Sequence, residues 1–189
     1  MLTEVVENLY LGSDVDVDGF SDYYGVESPI IHYDLTQWRI DYGLTDNEFY
    51  RILAMVEQIE KIRDSGLPVI IYCHGGVDRS PFLVACYLYY VQGMKYDEAY
   101  ELVKEKHPET FIHYDWMHWF VAMVDAMYES YEYSRRLNAE IDENIRRVVV
   151  GEPLIGETAE YVAEMAKQVV KHITEKHVDK KEDKVDEGK

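Results

Sequence analysis

Apolar positions along the chain follow two periods, and the switch between them sketches the fold. Val5 to Leu11 alternates loosely and predicts a strand that stops at Gly12, and Pro29-Ile30-Ile31-His32-Tyr33 predicts a second short one. After Thr45 the spacing changes to threes and fours, through Phe49, Ile52, Leu53, Val56, Ile59 and Ile62. That spacing is an amphipathic helix of about five turns. Thr45 reads as its N-cap, Glu48 as the other half of a capping box, and Ser65-Gly66 as its stop. Leu67 to Tyr72 is a continuous apolar run, the signature of a strand buried on both faces. Pro81 suits the first turn of a helix, and Phe82 to Val91 continues as one that is apolar all round. Tyr96 to Lys106 predicts another helix, broken at His107-Pro108. Tyr114 to about Val149 predicts one long helix or two, with Trp116, Trp119, Phe120, Met123 and Met127 on one stripe. Glu157 to about Lys176 predicts a last amphipathic helix, through Val162, Met165, Val169, Val170 and Ile173.

This order of elements predicts an α/β fold: a central, mostly parallel sheet flanked by helices, with extra helices at the C-terminus. The expected division is a globular domain over 1–125, a helical extension over 126–176 and a charged, frayed tail over 177–189. Asp14 to Gly25 is an acidic, glycine-punctuated loop.

Composition narrows the class. With 47% apolar and 13% aromatic residues the chain is globular, and its 17 tyrosines exceed what a core needs. Cys73 and Cys86 are the only cysteines, which excludes a disulfide scaffold. No apolar run approaches the roughly 20 residues that span a bilayer, and the first residues lack a secretory signal, so the expected setting is the reducing cytoplasm. The net charge is −18, with eight acids and no Lys or Arg before Arg39. Such a field excludes nucleic acid and anionic membrane as partners, and it favours basic residues in any partner.

The chemistry sits between the buried strand and the buried helix, in Cys73-His74-Gly75-Gly76-Val77-Asp78-Arg79-Ser80. A glycine-bearing loop in that place turns successive backbone N–H groups inward around a tetrahedral anion, and the helix N-terminus behind them adds positive potential. The same field lowers the pKa of Cys73, making it a nucleophile. Arg79 holds two phosphoryl oxygens bidentately, and Ser80 is placed to hydrogen-bond the departing thiolate. The expected substrate-binding residues are His74, Gly75, Gly76, Val77, Asp78 and Arg79. In-line attack by Cys73 followed by hydrolysis of the thiophosphate needs no metal and no cofactor.

Val69 to Pro81, VIIYCHGGVDRSP, resembles the active-site signature of the protein tyrosine phosphatase superfamily, and specifically its small dual-specificity-like members. Asn8 to Ser13 resembles the opening strand of that branch, and the resemblance extends over about 2–125. It implies phosphomonoester hydrolysis on phosphotyrosine, with or without phosphoserine and phosphothreonine. It also implies a general acid, an Asp upstream of the cysteine on a loop that leads into a helix. Asp41, 32 residues before Cys73, fits spacing and context; Asp34 and Asp46 fit less well, and Asp78 is the remaining option. The chain departs from the signature at Tyr72, where the family carries His, and His74 is the neighbour that could substitute. The stretch between Ser13 and Asp41 is also shorter than the family's. Asp78 before Arg79 occurs in some branches only, among them lipid phosphatases.

Weaker patterns have plainer explanations. Asp14-Val15-Asp16-Val17-Asp18-Gly19 begins like a calcium loop, but its twelfth position is Gly25 rather than Glu. His107, His113 and His118 lack the spacing of a zinc site and read as core or surface histidines. Cys86 reads as a packed apolar residue. The last helix could pack back on the domain, pair with another chain or self-associate, or dock a target. Competing functions are a pseudophosphatase that binds phosphorylated partners, a phosphatase of phosphoinositides or RNA 5′-triphosphates, and a rhodanese-like sulfur transferase.

Overall fold

The computed structural model describes residues 2–17, 31–38 and 44–182. It divides into two compact units, Met1–Asp125 and Ala126–Lys189. In the first, β1 (Thr3–Val6), β2 (Leu9–Ser13), β3 (Ile31–Asp34) and β4 (Val69–Cys73) form one sheet in the order β1-β2-β4-β3. β4 runs parallel to both β2 and β3, and only β1 is antiparallel. The mostly parallel sheet expected from the apolar runs is therefore present.

The alternating stretch from Val5 to Leu11 is two strands rather than one. Asn8 adopts a left-handed backbone with φ 61° and turns the chain back on itself. Asn tolerates that region better than most residues. Its N–H donates to the Glu4 carboxylate at 3.0 Å, and its carbonyl accepts from Val69 N–H at 2.9 Å, joining the turn to β4.

The helices of this unit are α1 (Asp46–Asp64), α2 (Arg79–Tyr90) and α3 (Tyr96–Lys106), followed by the start of α4 (Tyr114–Val150). α1 buries Phe49, Ile52, Leu53, Val56 and Ile59, the stripe read from the spacing. Its capping box does not form, because Thr45 makes no side-chain cap bond and the Glu48 carboxylate accepts from Trp38 Nε1 instead. α2 is buried from Ser80 to Leu88 and packs on β2, β4, α1 and α3. Burying each large aliphatic side chain of this core contributes about 1.5–3 kcal/mol.

α4 is one continuous helix, which settles the choice between one and two. In the second unit the turn between α4 and α5 (Ala159–Glu182) is held by Asn144, which is fully buried. Its Nδ2 donates to the Ile155 carbonyl at 2.7 Å, and its Oδ1 accepts from Ile155 N–H at 2.9 Å. Glu140 accepts from both the N–H and the hydroxyl of Thr158 and so caps the start of α5. α5 continues to Glu182, so the frayed tail expected from His177 is helical over its first six residues.

Candidate active site

The parallel strands β2, β3 and β4 end together, and in such sheets ligands bind beyond the carboxyl ends of the strands. Cys73 is the last residue of β4, paired with Ser13 of β2. Arg79 opens α2, and the five residues between them form the loop.

Cys73 is 1% exposed, with Sγ 3.3 Å from Ser80 Oγ. Ser80 Oγ is also 3.2 Å from the Gly12 carbonyl oxygen, so the hydroxyl lies between two strand ends. Burial pushes the Cys73 thiol up, but hydrogen bonds from Ser80 Oγ and from the backbone N–H groups of Ser80, Gly76 and Asp78 outweigh it, and the pKa lies below the ordinary value. The loop amides therefore converge on the sulfur, and the same convergence suits an anion placed just above it. Gly76, with φ 69°, lies so close to β2 that a Cβ would sit 2.7 Å from the Gly12 carbonyl carbon and 2.8 Å from Ser13 N.

The Arg79 guanidinium reaches across to the segment that follows β3. Its Nη1 lies 3.0, 2.9 and 3.0 Å from the carbonyl oxygens of Leu35, Thr36 and Trp38. Asp41, the expected general acid, lies outside the described residues. Asp34 is described and is exposed; the Thr36 N–H, the Thr36 hydroxyl, the Tyr72 hydroxyl and Arg79 hold its carboxyl below the usual range.

Tyr72 is half-buried, and its hydroxyl is committed to Asp34. His74 does not replace the missing histidine behind the sulfur: it is exposed, with Nδ1 2.6 Å from Asp14 Oδ2. Residues 14–17, expected as the start of an acidic loop, form a helical turn instead, and the Asp16 carboxylate accepts from Ser13 N–H at 3.0 Å and Ser13 Oγ at 2.7 Å. Asp18, Gly19 and Gly25 of the calcium-like stretch lie outside the described residues. Among the described residues no group of three or more His, Cys, Asp or Glu side chains could hold a metal.

Sequence reasoning missed the segment 107–113. His107 is buried, its Nδ1 2.9 Å from Thr3 Oγ1, and burial pulls its pKa down. Phe111 N–H donates to the Val77 carbonyl at 2.8 Å, and His113 Nε2 is 3.1 Å from Asp78 Oδ1. No local pattern announces these contacts, which join His107 to Thr3 across 104 residues and His113 to Asp78 across 35. His118 is exposed against Tyr96, and Cys86 is a fully buried free thiol with its pKa pushed well up, as a packed apolar residue would be. In the C-terminal unit a groove of about 270 Å³ lies between α4 and α5, lined by Val148, Val149, Met165 and Val169 among others. Its lining is wholly apolar and offers no chemistry. No helix among the described residues is long and apolar enough to cross a membrane.

Against known proteins, residues 28–125 match the family model for the dual specificity phosphatase catalytic domain. The chain is 26% identical over 172 residues to dual specificity protein phosphatase 8 of Mus musculus, covering 84% of this chain and 25% of that protein. It is 28% identical over 132 residues to tyrosine-protein phosphatase vhp-1 of Caenorhabditis elegans, covering 61% and 20% respectively. The chain thus spans about a quarter or less of the length of these curated relatives. Among solved structures, a leucine-rich-repeat and phosphatase domain protein from Entamoeba histolytica superposes with a TM-score of 0.53 at 18% identity, covering 67% of this chain and 94% of that one. The chain belongs to the dual specificity phosphatases through their catalytic domain.

Proposed function

We propose that the chain hydrolyses phosphomonoesters on phosphoproteins, on phosphotyrosine and also on phosphoserine and phosphothreonine, through a phosphocysteine intermediate. The observation that carries this reading is the convergence of the loop amides and Ser80 Oγ on a buried Cys73 whose pKa is lowered. In the proposed cycle the phosphoryl group lies in the loop from His74 to Arg79 with its oxygens on the inward N–H groups. The Cys73 thiolate attacks phosphorus in line with the leaving oxygen. The S–P bond forms as the P–O bond breaks, and a carboxyl proton passes to the leaving oxygen. Water then attacks the thiophosphate, returning a proton to that carboxylate as its O–P bond forms and the S–P bond breaks, and Ser80 Oγ stabilises the departing sulfur. Arg79 and the amides supply the positive charge this chemistry needs, so no metal enters the scheme.

Asp41 is assigned as the acid on its spacing from Cys73 and its place before α1. One further observation favours it: the guanidinium of Arg79 is bonded to the carbonyls of Leu35, Thr36 and Trp38, three residues short of Asp41. The group that clamps phosphate would thereby also hold the base of the segment that delivers the proton. The proposed setting is the cytoplasm, in keeping with two unpaired cysteines.

Hydrolysis of p-nitrophenyl phosphate and of a phosphotyrosine peptide, in EDTA, tests this reading with wild type, Cys73→Ser and Asp41→Asn. Cys73→Ser is expected to abolish both activities. Asp41→Asn is expected to lower peptide turnover by about 10²-fold, and to matter less for p-nitrophenolate, which leaves without a proton. An inert wild type whose Cys73→Ser variant still binds the phosphopeptide would make the chain a binding module. Tyr72, committed to Asp34 where the family has His, is the observation that favours that second reading.

A further inference from the structure

Two consecutive residues of the Cys73–Arg79 loop are held from outside by one segment. Phe111 N–H donates to the Val77 carbonyl at 2.8 Å, and His113 Nε2 meets Asp78 Oδ1 at 3.1 Å. The peptide plane makes the consequence directional. The Val77 carbonyl and the Asp78 N–H belong to one rigid amide and point opposite ways. Fixing that carbonyl on Phe111 aims the Asp78 N–H the opposite way, toward the Cys73 side, where it helps lower the thiol's pKa.

The bracing segment is itself anchored. The Thr110 carbonyl accepts from Lys104 Nζ of α3 at 2.9 Å, and the His113 ring lies flat on Trp116 of α4, with centroids 3.7 Å apart and planes within 9°. Trp116 packs edge-on against Phe82 of α2 at 5.5 Å. His113 is thus clamped by stacking on one side and holds a loop carboxylate on the other.

We propose that His113 is a positioning residue for the phosphate-binding loop: through Asp78 it fixes the register in which the loop amides converge on Cys73. This rests on the loop's assignment as the phosphate site, and nothing in it requires His113 to touch substrate.

The test compares wild type with His113→Gln, which keeps a donor toward Asp78, and His113→Phe, which keeps the stack on Trp116 and loses the donor. Two quantities are read: the pH midpoint of Cys73 alkylation by iodoacetamide, followed by mass spectrometry, and the affinity for inorganic phosphate. His113→Phe is expected to raise the midpoint by about one pH unit and weaken phosphate by about tenfold. His113→Gln should stay within about twofold of wild type. His113→Ala should show the same loss as Phe and recover with added imidazole, which covers a Phe variant that does not fold. Equal behaviour of Gln and Phe, an unmoved midpoint in Phe and Ala, or no imidazole rescue overturns the proposal. Because alkylation needs no turnover, an inactive wild type would defeat the phosphatase reading while leaving this test intact.

Discussion

At the residue scale the loop depends on positions where only one side chain fits, and the two neighbouring glycines separate that requirement cleanly. Gly76 combines φ 69° with backbone atoms of Gly12 and Ser13 at 2.7–2.9 Å from any added Cβ. Neither contact can yield without moving β2. Gly75 meets only the end of the Val77 side chain, at 3.5 Å. Gly76→Ala is therefore expected to cost about 2–4 kcal/mol in urea unfolding and to weaken phosphate binding, whereas Gly75→Ala should cost under about 1 kcal/mol. Equal costs would mean that the loop relaxes away from β2 freely. Gly76, Cys73, Arg79 and Ser80 were legible in the sequence because they lie in eight contiguous residues whose spacing carries the chemistry. Asp78 was legible as a loop residue but not as the partner of His113, since that pairing depends on how the chain returns after α3. Tyr72 was visible as a departure, yet its commitment to Asp34 follows from the register of β3 on β4, which no spacing within either strand reveals.

At the scale of elements, periodicity located the helices and blurred their ends. The strands read from Val5 to Leu11 ran together because Asn8 interrupts the chain without interrupting the alternation. The Thr45 capping box had its residues in place and lost Glu48 to the Trp38 indole, a tertiary partner outside any local window. α5 outran its apolar stripe because Lys and Glu are good helix formers whether or not they bury anything. The junction between β1 and the end of α3 carries a prediction of its own. His107 is 7% exposed and bonded to Thr3 Oγ1, and burial disfavours its protonation. Its folded pKa lies below its unfolded one, so the unfolded chain takes up the extra proton as pH falls. Stability is complete above the ordinary histidine pKa of about 6.5 and declines as pH drops through the window beneath it. Wild-type Tm should therefore fall between pH 7.5 and pH 5.5, and fall less in His107→Gln. Parallel Tm curves for the two proteins would show that some other group sets the acid sensitivity.

For the whole molecule, charge is distributed unequally between the units. Residues 1–125 carry 22 acids and 8 bases, a net −14, while residues 126–189 carry 15 acids and 11 bases, a net −4. The proposed phosphate site thus belongs to the strongly acidic part of the chain, and acidic side chains stand beside it. Asp14 lies against His74, Asp78 is in the loop, and Asp34 interacts with Arg79. On the proposed reading, a cradle of amides and one arginine draws a phosphate dianion through a field that opposes it. The amides act only at contact distance, whereas the field acts over about a Debye length. Recruitment therefore depends on what accompanies the phosphate. Lys or Arg flanking a phosphotyrosine turns the same field from a barrier into an attraction, and flanking Asp or Glu deepens the barrier. At low ionic strength KM for a Lys/Arg-flanked phosphopeptide should be lower by about tenfold than for its Asp/Glu-flanked counterpart. Raising the salt to about 0.5 M should bring the two together, because screening shortens the field to a few ångströms. The kcat values should stay alike, since the flanking charges do not touch the reacting atoms. A preference that survives high salt would instead point to specific flanking pockets, and no preference at low salt would mean that local amides and Arg79 dominate from the first encounter.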